Sequence, residues 1–397
     1  MTIKNTKKLI ITPFIYQNIY IVVIIQHVLK ILILKGYFNF FSAFTVYFSI
    51  IHMNKLTKGE IMNKLNKIGV SALCGSLAAI SAANAGDLTV TGGAALTWTS
   101  LSGQVTGNPI GIASDFGLKG SGELENGWTV DLSIAHADVG AYSNASVTIG
   151  VPGVGDILFN QGGSGTGIQR MDDMTPTVWE EADGAGLSAT INKIGGGSAG
   201  ATIEVTPSAL PDGLTGKFAY TPDADGGSSV SDKGVGGDSA YAGSAWDVTL
   251  TATEDLHGVA GLTLYGGISE VEQNTHAGVV SGDREEDVFG IKYAMGSFTA
   301  GWQRSTEDTG LTATAEYENT SYGVTFSVND DLSIGYGHIE SDKSGTANDA
   351  EADSIQASYT MGGATFRIAE IDVENNGYTS DSGADVSATV ISLGLAF

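Results

Sequence analysis

Apolar and polar residues alternate along most of the chain after residue 85. Leu88, Val90, Ala94, Leu96 and Trp98 share one register, with Thr89, Thr91 and Thr97 in the other. Trp128, Val130, Leu132 and Ile134 repeat this opposite Thr129, Asp131 and Ser133, and Trp246, Val248 and Leu250 opposite Asp247, Thr249 and Thr251. Tyr322, Val324, Phe326 and Val328 oppose Gly323, Thr325 and Ser327, while Ile355, Ala357, Tyr359 and Met361 oppose Gln356, Ser358 and Thr360. A period of two marks an extended strand, whose successive side chains point to opposite faces. The pattern predicts about 16 such strands, each closed by a Gly, Asp, Ser or Asn turn.

A soluble β-sandwich alternates too, so the contents of the two faces matter. The polar face holds Thr, Ser, Gly, Gln and acids, as a wet lumen requires. The apolar face often ends at Trp, Tyr or Phe, as a lipid-facing band between aromatic girdles would. Backbone groups in lipid must all be paired, so strands there close into a barrel. The expected fold is therefore an all-β transmembrane antiparallel barrel, and about 16 strands leave an aqueous channel. The last segment fits: Ile391, Leu393, Leu395 and Phe397 lie in one register, with small Ser392, Gly394 and Ala396 in the other. Asn329-Asp330-Asp331 and Met361-Gly362-Gly363 read as short turns. Pro222 to Ala245, Glu270 to Glu285 and Ser341 to Asp353 read as long acidic loops.

Charge divides the chain in two. Nine of the 19 basic residues but only one of the 44 acidic residues precede Gly86, leaving 10 against 43 and a formal charge of −33. From Met62 a secretory signal reads clearly: basic Lys64 and Lys67, apolar Ile68 to Ile80, and a small-x-small cleavage site at Ala83-Asn84-Ala85 before Gly86. Cys74, the only cysteine, lies within that signal. Residues 1–61 are expected to be misassigned upstream translation. The first 52 are rich in Ile, Lys, Asn, Phe and Tyr, and Lys58-Gly59-Glu60-Ile61 can be spelled by a purine-rich ribosome-binding sequence ahead of the Met62 codon. The alternative is a membrane anchor over Leu9 to Leu34, which is long enough to span but is interrupted by Asn18, Gln26, His27 and Lys30.

Gln161 to Gly184 stands apart from the repeating hairpins. It follows the strand-like Gly155 to Asn160 and is expected to end before a strand at Leu187 to Ile191. It holds Arg170, Asp172, Asp173, Glu180, Glu181 and Asp183, with Pro176 and Trp179 to stiffen it. Signal, terminal Phe397, strand pattern and this loop together resemble general porins of the alphaproteobacterial type. The resemblance implies an outer-membrane homotrimer, surrounded by lipid, that passes small hydrophilic solutes and ions. It also implies that Phe397 is the assembly signal read by the barrel-assembly machinery. In that family the third external loop folds inward, and its carboxylates line the constriction opposite a basic arc on the wall. Alternation puts Lys119, Lys217, Lys292 and Arg367 on the lumenal face as candidates for that arc, with Asp131 and Glu316 lumenal by the same rule. So few cations imply a modest preference for cationic solutes.

Other chemistry is poorly supported. His136, His257, His276 and His338 have neither nucleophile-motif context nor metal-ligand spacing. Asp223-Ala224-Asp225-Gly226 echoes a calcium loop but lacks its closing Glu. Gly195-Gly196-Gly197 does not sit in a phosphate-binding strand–helix unit, and so acidic a chain argues against nucleic acid. No cofactor, metal or catalytic set is expected. The competing reading is a secreted or surface β-structured adhesin or layer protein, with an outer-membrane lipase or protease barrel behind it.

Overall fold

The computed structural model describes residues 85–397, leaving out 138–140, 162–164, 185–186, 188, 190, 198–200, 225–241, 275–278, 314–315 and 397. The predicted cleavage residue Ala83 and the assembly residue Phe397 lie outside the described residues. Ala85 and Gly86 open the first strand.

Sixteen strands form one closed antiparallel barrel, each paired with its sequence neighbours and the first with the last. They are β1 (Ala85–Ser102), β2 (Ile110–Glu123), β3 (Thr129–Ala137), β4 (Ala141–Val151), β5 (Gly155–Gln161) and β6 (Thr202–Pro207). The wall continues through β7 (Leu214–Thr221), β8 (Ala242–Ala252), β9 (Leu262–Gln273), β10 (Arg284–Met295) and β11 (Phe298–Asp308). It closes with β12 (Glu316–Ser327), β13 (Leu332–Lys343), β14 (Ala350–Met361), β15 (Ala364–Glu374) and β16 (Val386–Ala396). No helix among the described residues is long and apolar enough to cross a membrane; this protein crosses with strands.

The register confirms the alternation. Val90, Trp98, Phe116, Phe289, Phe366 and Leu395 are exposed on the outer face, where lipid solvates them without charge. Cross-strand pairs keep them together: Leu96 lies opposite Leu393, and Phe366 opposite Leu393 on the other side. Aromatic contacts stud the same surface. Phe298 stacks on Phe326 at 4.4 Å, and His136 on Phe116 at 5.1 Å. His338 stacks on Tyr322 and holds Asp353 at 3.0 Å, so both histidines are outer-face residues without a catalytic setting.

Several boundaries differ from the sequence reading. Strands run into all three supposed loops: β8 begins at Ala242, β9 reaches Gln273 and β10 starts at Arg284, and β13 reaches Lys343 with β14 from Ala350. Glu270, Glu272, Glu285, Asp342, Glu351 and Asp353 therefore sit on strand ends, and Asp283 and Asp349 in loops. Glu316 is not lumenal: it pairs with Asp308 and shares the register of Tyr322, which faces outward. Among the described residues Leu187, Ala189 and Ile191 belong to no barrel strand, and the strand after β5 begins at Thr202.

Candidate functional site

The long connection between β5 and β6 turns into the barrel. Its outgoing limb opens with a short 3-10 helix, Gly167–Met171, and then crosses the inner wall from β6 to β15. The Gly167 N–H donates to Glu204 on β6 at 3.0 Å, and the Ile168 N–H to Asp247 on β8 at 3.3 Å. Ile168, Met171 and returning Ile194 form an apolar cluster with Tyr265 of β9 and Val288 of β10. Gln303 on β11 accepts from the Met174 N–H at 3.3 Å and donates to the Asp172 carbonyl at 3.0 Å. Gln356 on β14 accepts from the Thr177 hydroxyl and from the Trp179 and Glu180 N–H groups at 2.9 to 3.2 Å, and donates to the Glu180 carbonyl. An amide can accept and donate at once, which suits glutamine to holding a stretch of irregular backbone.

Three glycines make the seat. Gly301, Gly323 and Gly337 are cross-strand neighbours on the lumenal face of β11, β12 and β13. Pro176 lies on the first two: a Cβ on Gly301 would come within 2.5 Å of its Cδ, and a Cβ on Gly323 would collide with its carbonyl oxygen, while Gly337 faces Ala182 at 3.7 Å. Just along β13, a Cβ on Gly335 would meet Val178 at 2.7 Å. A side chain on Gly301, Gly323 or Gly335 would displace the loop.

Beyond Glu180 the loop turns back. Leu187, Ala189 and Ile191 pack with Trp179 onto lumen-facing Ile339, Ile371, Val373 and Val390 and against Tyr378. Leu187, Ala189 and Ile191 thus cover an inner wall rather than face lipid. The return limb is then tied to buried acids. Asn192 donates to Glu307, and the Gly195 and Gly196 N–H groups donate to Glu286 at 3.0 and 2.6 Å. The Gly-rich run therefore serves close packing: a Cβ on Gly196 would strike Asp247, and one on Gly197 would come within 2.5 Å of Ala245. Buried carboxylates require such donors, since leaving them unpaired costs several times an ordinary hydrogen bond.

This geometry brings Asp172, Asp173, Glu180 and Glu181 together. With Asp183, Thr175, Thr177 and Lys193 they line one recess between the loop and the wall at Ser321 and Gly337. Burial pushes the Asp172 carboxyl up, partly offset by its hydrogen bond with Asp173. Burial and the neighbouring Asp173 likewise raise Glu181, against the opposing pull of Lys193.

The basic candidates scatter. Register places Lys119, Lys217, Lys292 and Arg367 on the lumenal face, as alternation predicted. Arg170 and Lys217, however, both bind Glu204, which is 1% exposed, so their charge is spent holding the loop to β6 and β7. Lys292 rests over the Tyr265 ring and Arg367 over Trp179 at 5.9 Å. Lys119 is exposed on β2, with Asp115 of the same strand and Asp131 of neighbouring β3 also facing the lumen. The expected loop end at Gly184 leaves out Lys193, whereas Gln303, Gln356, the wall acids and Arg284, which donates to the Gly196 carbonyl, meet the loop from strands distant in sequence. Among the described residues no cluster of His, Cys, Asp or Glu is arranged to hold a metal ion.

A closed 16-strand barrel with a loop folded into its lumen is the architecture of a porin. A family model described as Gram-negative porin matches residues 69–385, and the chain belongs to that family. The match is to Gram-negative porins at large and does not single out the alphaproteobacterial type. No curated protein sequence matches the chain. Among solved structures it is similar to an anion-selective porin from Comamonas acidovorans, with TM-score 0.57 at 12% identity over 78% of this chain and 99% of that one. It is also similar to OmpF of Salmonella typhi, with TM-score 0.57 at 14% identity over 78% and 97%. OmpT of Vibrio cholerae, in its loop L8 deletion form, gives TM-score 0.56 at 13% identity over 78% and 99%. At such identities the likeness is one of fold. The protein is an outer-membrane porin.

Proposed function

We propose that the barrel is a passive diffusion channel for small hydrophilic solutes and ions with a modest preference for cations. One observation carries this: the loop brings Asp172, Asp173, Glu180 and Glu181 to one recess, while Arg170 and Lys217 are held by buried Glu204. Charges at the narrowest point govern ion selectivity, whereas charges on distant loops are screened within a Debye length of roughly 8 Å. Changing these four acids to Asn and Gln should lower the cation-to-anion permeability ratio measured from reversal potentials in a KCl gradient. The same number of changes within Pro222 to Ala245 should leave it unaltered. Preference for cations should also fall as the pH drops from neutral. Asp172 and Glu181, raised by burial, take up protons above the ordinary carboxylate range, near pH 4. An unchanged ratio in the quadruple variant would defeat the reading.

A homotrimer fits the outer surface. Among the described residues, the outward faces of β16 and β1 to β5 carry no Asp, Glu, Lys or Arg, whereas β9 to β15 carry carboxylates from Glu270 to Glu374. A charge-free sector suits contact between protomers, and an OmpT structure from Vibrio cholerae is described as a trimer form. We further take residues 62–85 as the export signal, so N-terminal sequencing of purified protein should begin at Gly86. Peptides from residues 1–52 in native material would contradict the start at Met62.

A further inference from the structure

Lys193 lies on the return limb, beyond the carboxylates that line the recess, and its side chain is about three-quarters covered. Its ammonium contacts Glu181 and lies 3.0 Å from Asp183, whose own side chain is 10% exposed. Its backbone is held more firmly than any surface lysine's. The preceding Asn192 accepts at its carbonyl from Asn319 of β12 at 2.6 Å and donates through its side chain to Glu307 of β11. The Asn192 N–H also donates to the Tyr378 hydroxyl at 3.3 Å. Tyr378 itself sits between β15 and β16 with φ of 61°, a conformation rarely adopted by an aromatic residue. Its hydroxyl is 2.9 Å from that of Ser341, and its ring packs on Tyr317 and under Lys343. After Lys193, Glu286 holds Gly195 and Gly196. The chain on both sides of this lysine is thus fixed to the wall.

We propose that Lys193 is the resident counterion of the constriction and sets how strongly the pore selects cations, with Tyr378 as a positioning residue that helps hold it there. This rests on the reading of the loop as the selectivity element. Of the five carboxylates in the recess, Lys193 pairs with Glu181 and Asp183 and also acts at longer range on Asp172. A fixed ammonium competes with a permeating cation for the same oxygens, so its presence lowers the local preference for cations. Arg170 and Lys217 cannot play this part, because buried Glu204 already holds both.

The test compares Lys193→Gln, Lys193→Arg and Tyr378→Phe in the refolded mature protein, by reversal potential across a KCl gradient over a pH series. Lys193→Gln should raise the cation-to-anion permeability ratio about two- to fivefold, since one charge is lost at close range in a poorly solvated recess. The pH at which the preference fades should move upward, because Glu181 and Asp172, crowded by Asp173, Asp183 and Glu180, lose the downward pull of the Lys193 ammonium. Lys193→Arg should restore both values. Tyr378→Phe keeps the ring but removes the hydroxyl, and should shift the ratio in the same direction by less. An unchanged or lower ratio in Lys193→Gln, with a cation-preferring wild type, overturns the assignment. An anion-preferring wild type would instead overturn the reading of the loop beneath it.

Discussion

Replacing Gly323 by valine will unseat the constriction loop and raise single-channel conductance roughly twofold, with the barrel still assembled, because a pore's narrowest lining sets its throughput. Gly323 and its cross-strand neighbour Gly301 are the pair on which Pro176 rests, and a Cβ on Gly323 would collide with the Pro176 carbonyl. The obstacle is backbone, held on either side by Gln303 and Gln356, so it cannot step aside as a flexible side chain would. The strand itself accommodates valine readily, since β-branched residues favour strands. The same move should weaken cation preference, because the acids following Pro176 withdraw from the path. Gly120 on β2 is the control: a Cβ there meets nothing within 4 Å, so alanine at that position should leave conductance unchanged. Normal conductance in Gly323→Val would mean that the loop does not rest where these glycines place it.

The second large effect concerns the lipid face. Ile291 lies between Phe289 and Tyr293 in the outward register of β10, and its neighbour Lys292 points into the lumen. Exchanging the two as Ile291→Lys with Lys292→Ile preserves composition and charge but turns the ammonium toward lipid. A lysine at the bilayer midplane costs roughly 2–4 kcal/mol. The fraction of protein folded into lipid vesicles should fall steeply, as read by heat-modifiable migration on gels and by protease resistance. Lys292→Ile alone should insert normally. Equal insertion of the exchanged protein would place this register wrongly.

These expectations show what alternation can and cannot reveal. It separated the two faces of the wall correctly at Lys119, Lys217, Lys292 and Arg367, because lipid excludes charge from one face and tolerates nearly anything on the other. It could not tell an apolar residue facing lipid from one facing an inner apolar cluster. Leu187 to Ile191 alternates for the second reason, covering Ile339, Ile371 and Val390 inside the barrel. Reading that stretch as a strand ended the loop too early and hid Lys193. Pairing was the other illegible feature. Arg170 and Lys217 lie in sequence far from any sign that both meet Glu204, which is brought to them only when β6 and β7 flank the loop's first turn. Glu316 is a different case: counting from Tyr322 along β12 puts it on the outer face, where the structure finds it.

The claim that the inward loop makes this barrel a cation-preferring channel is tested most directly on the wild-type mature chain in a planar bilayer. Successive insertions should give stepwise current, and under a KCl gradient the reversal potential should carry the sign of potassium permeating faster than chloride. A reversal potential of the opposite sign, or no conductance from correctly folded protein, would contradict it.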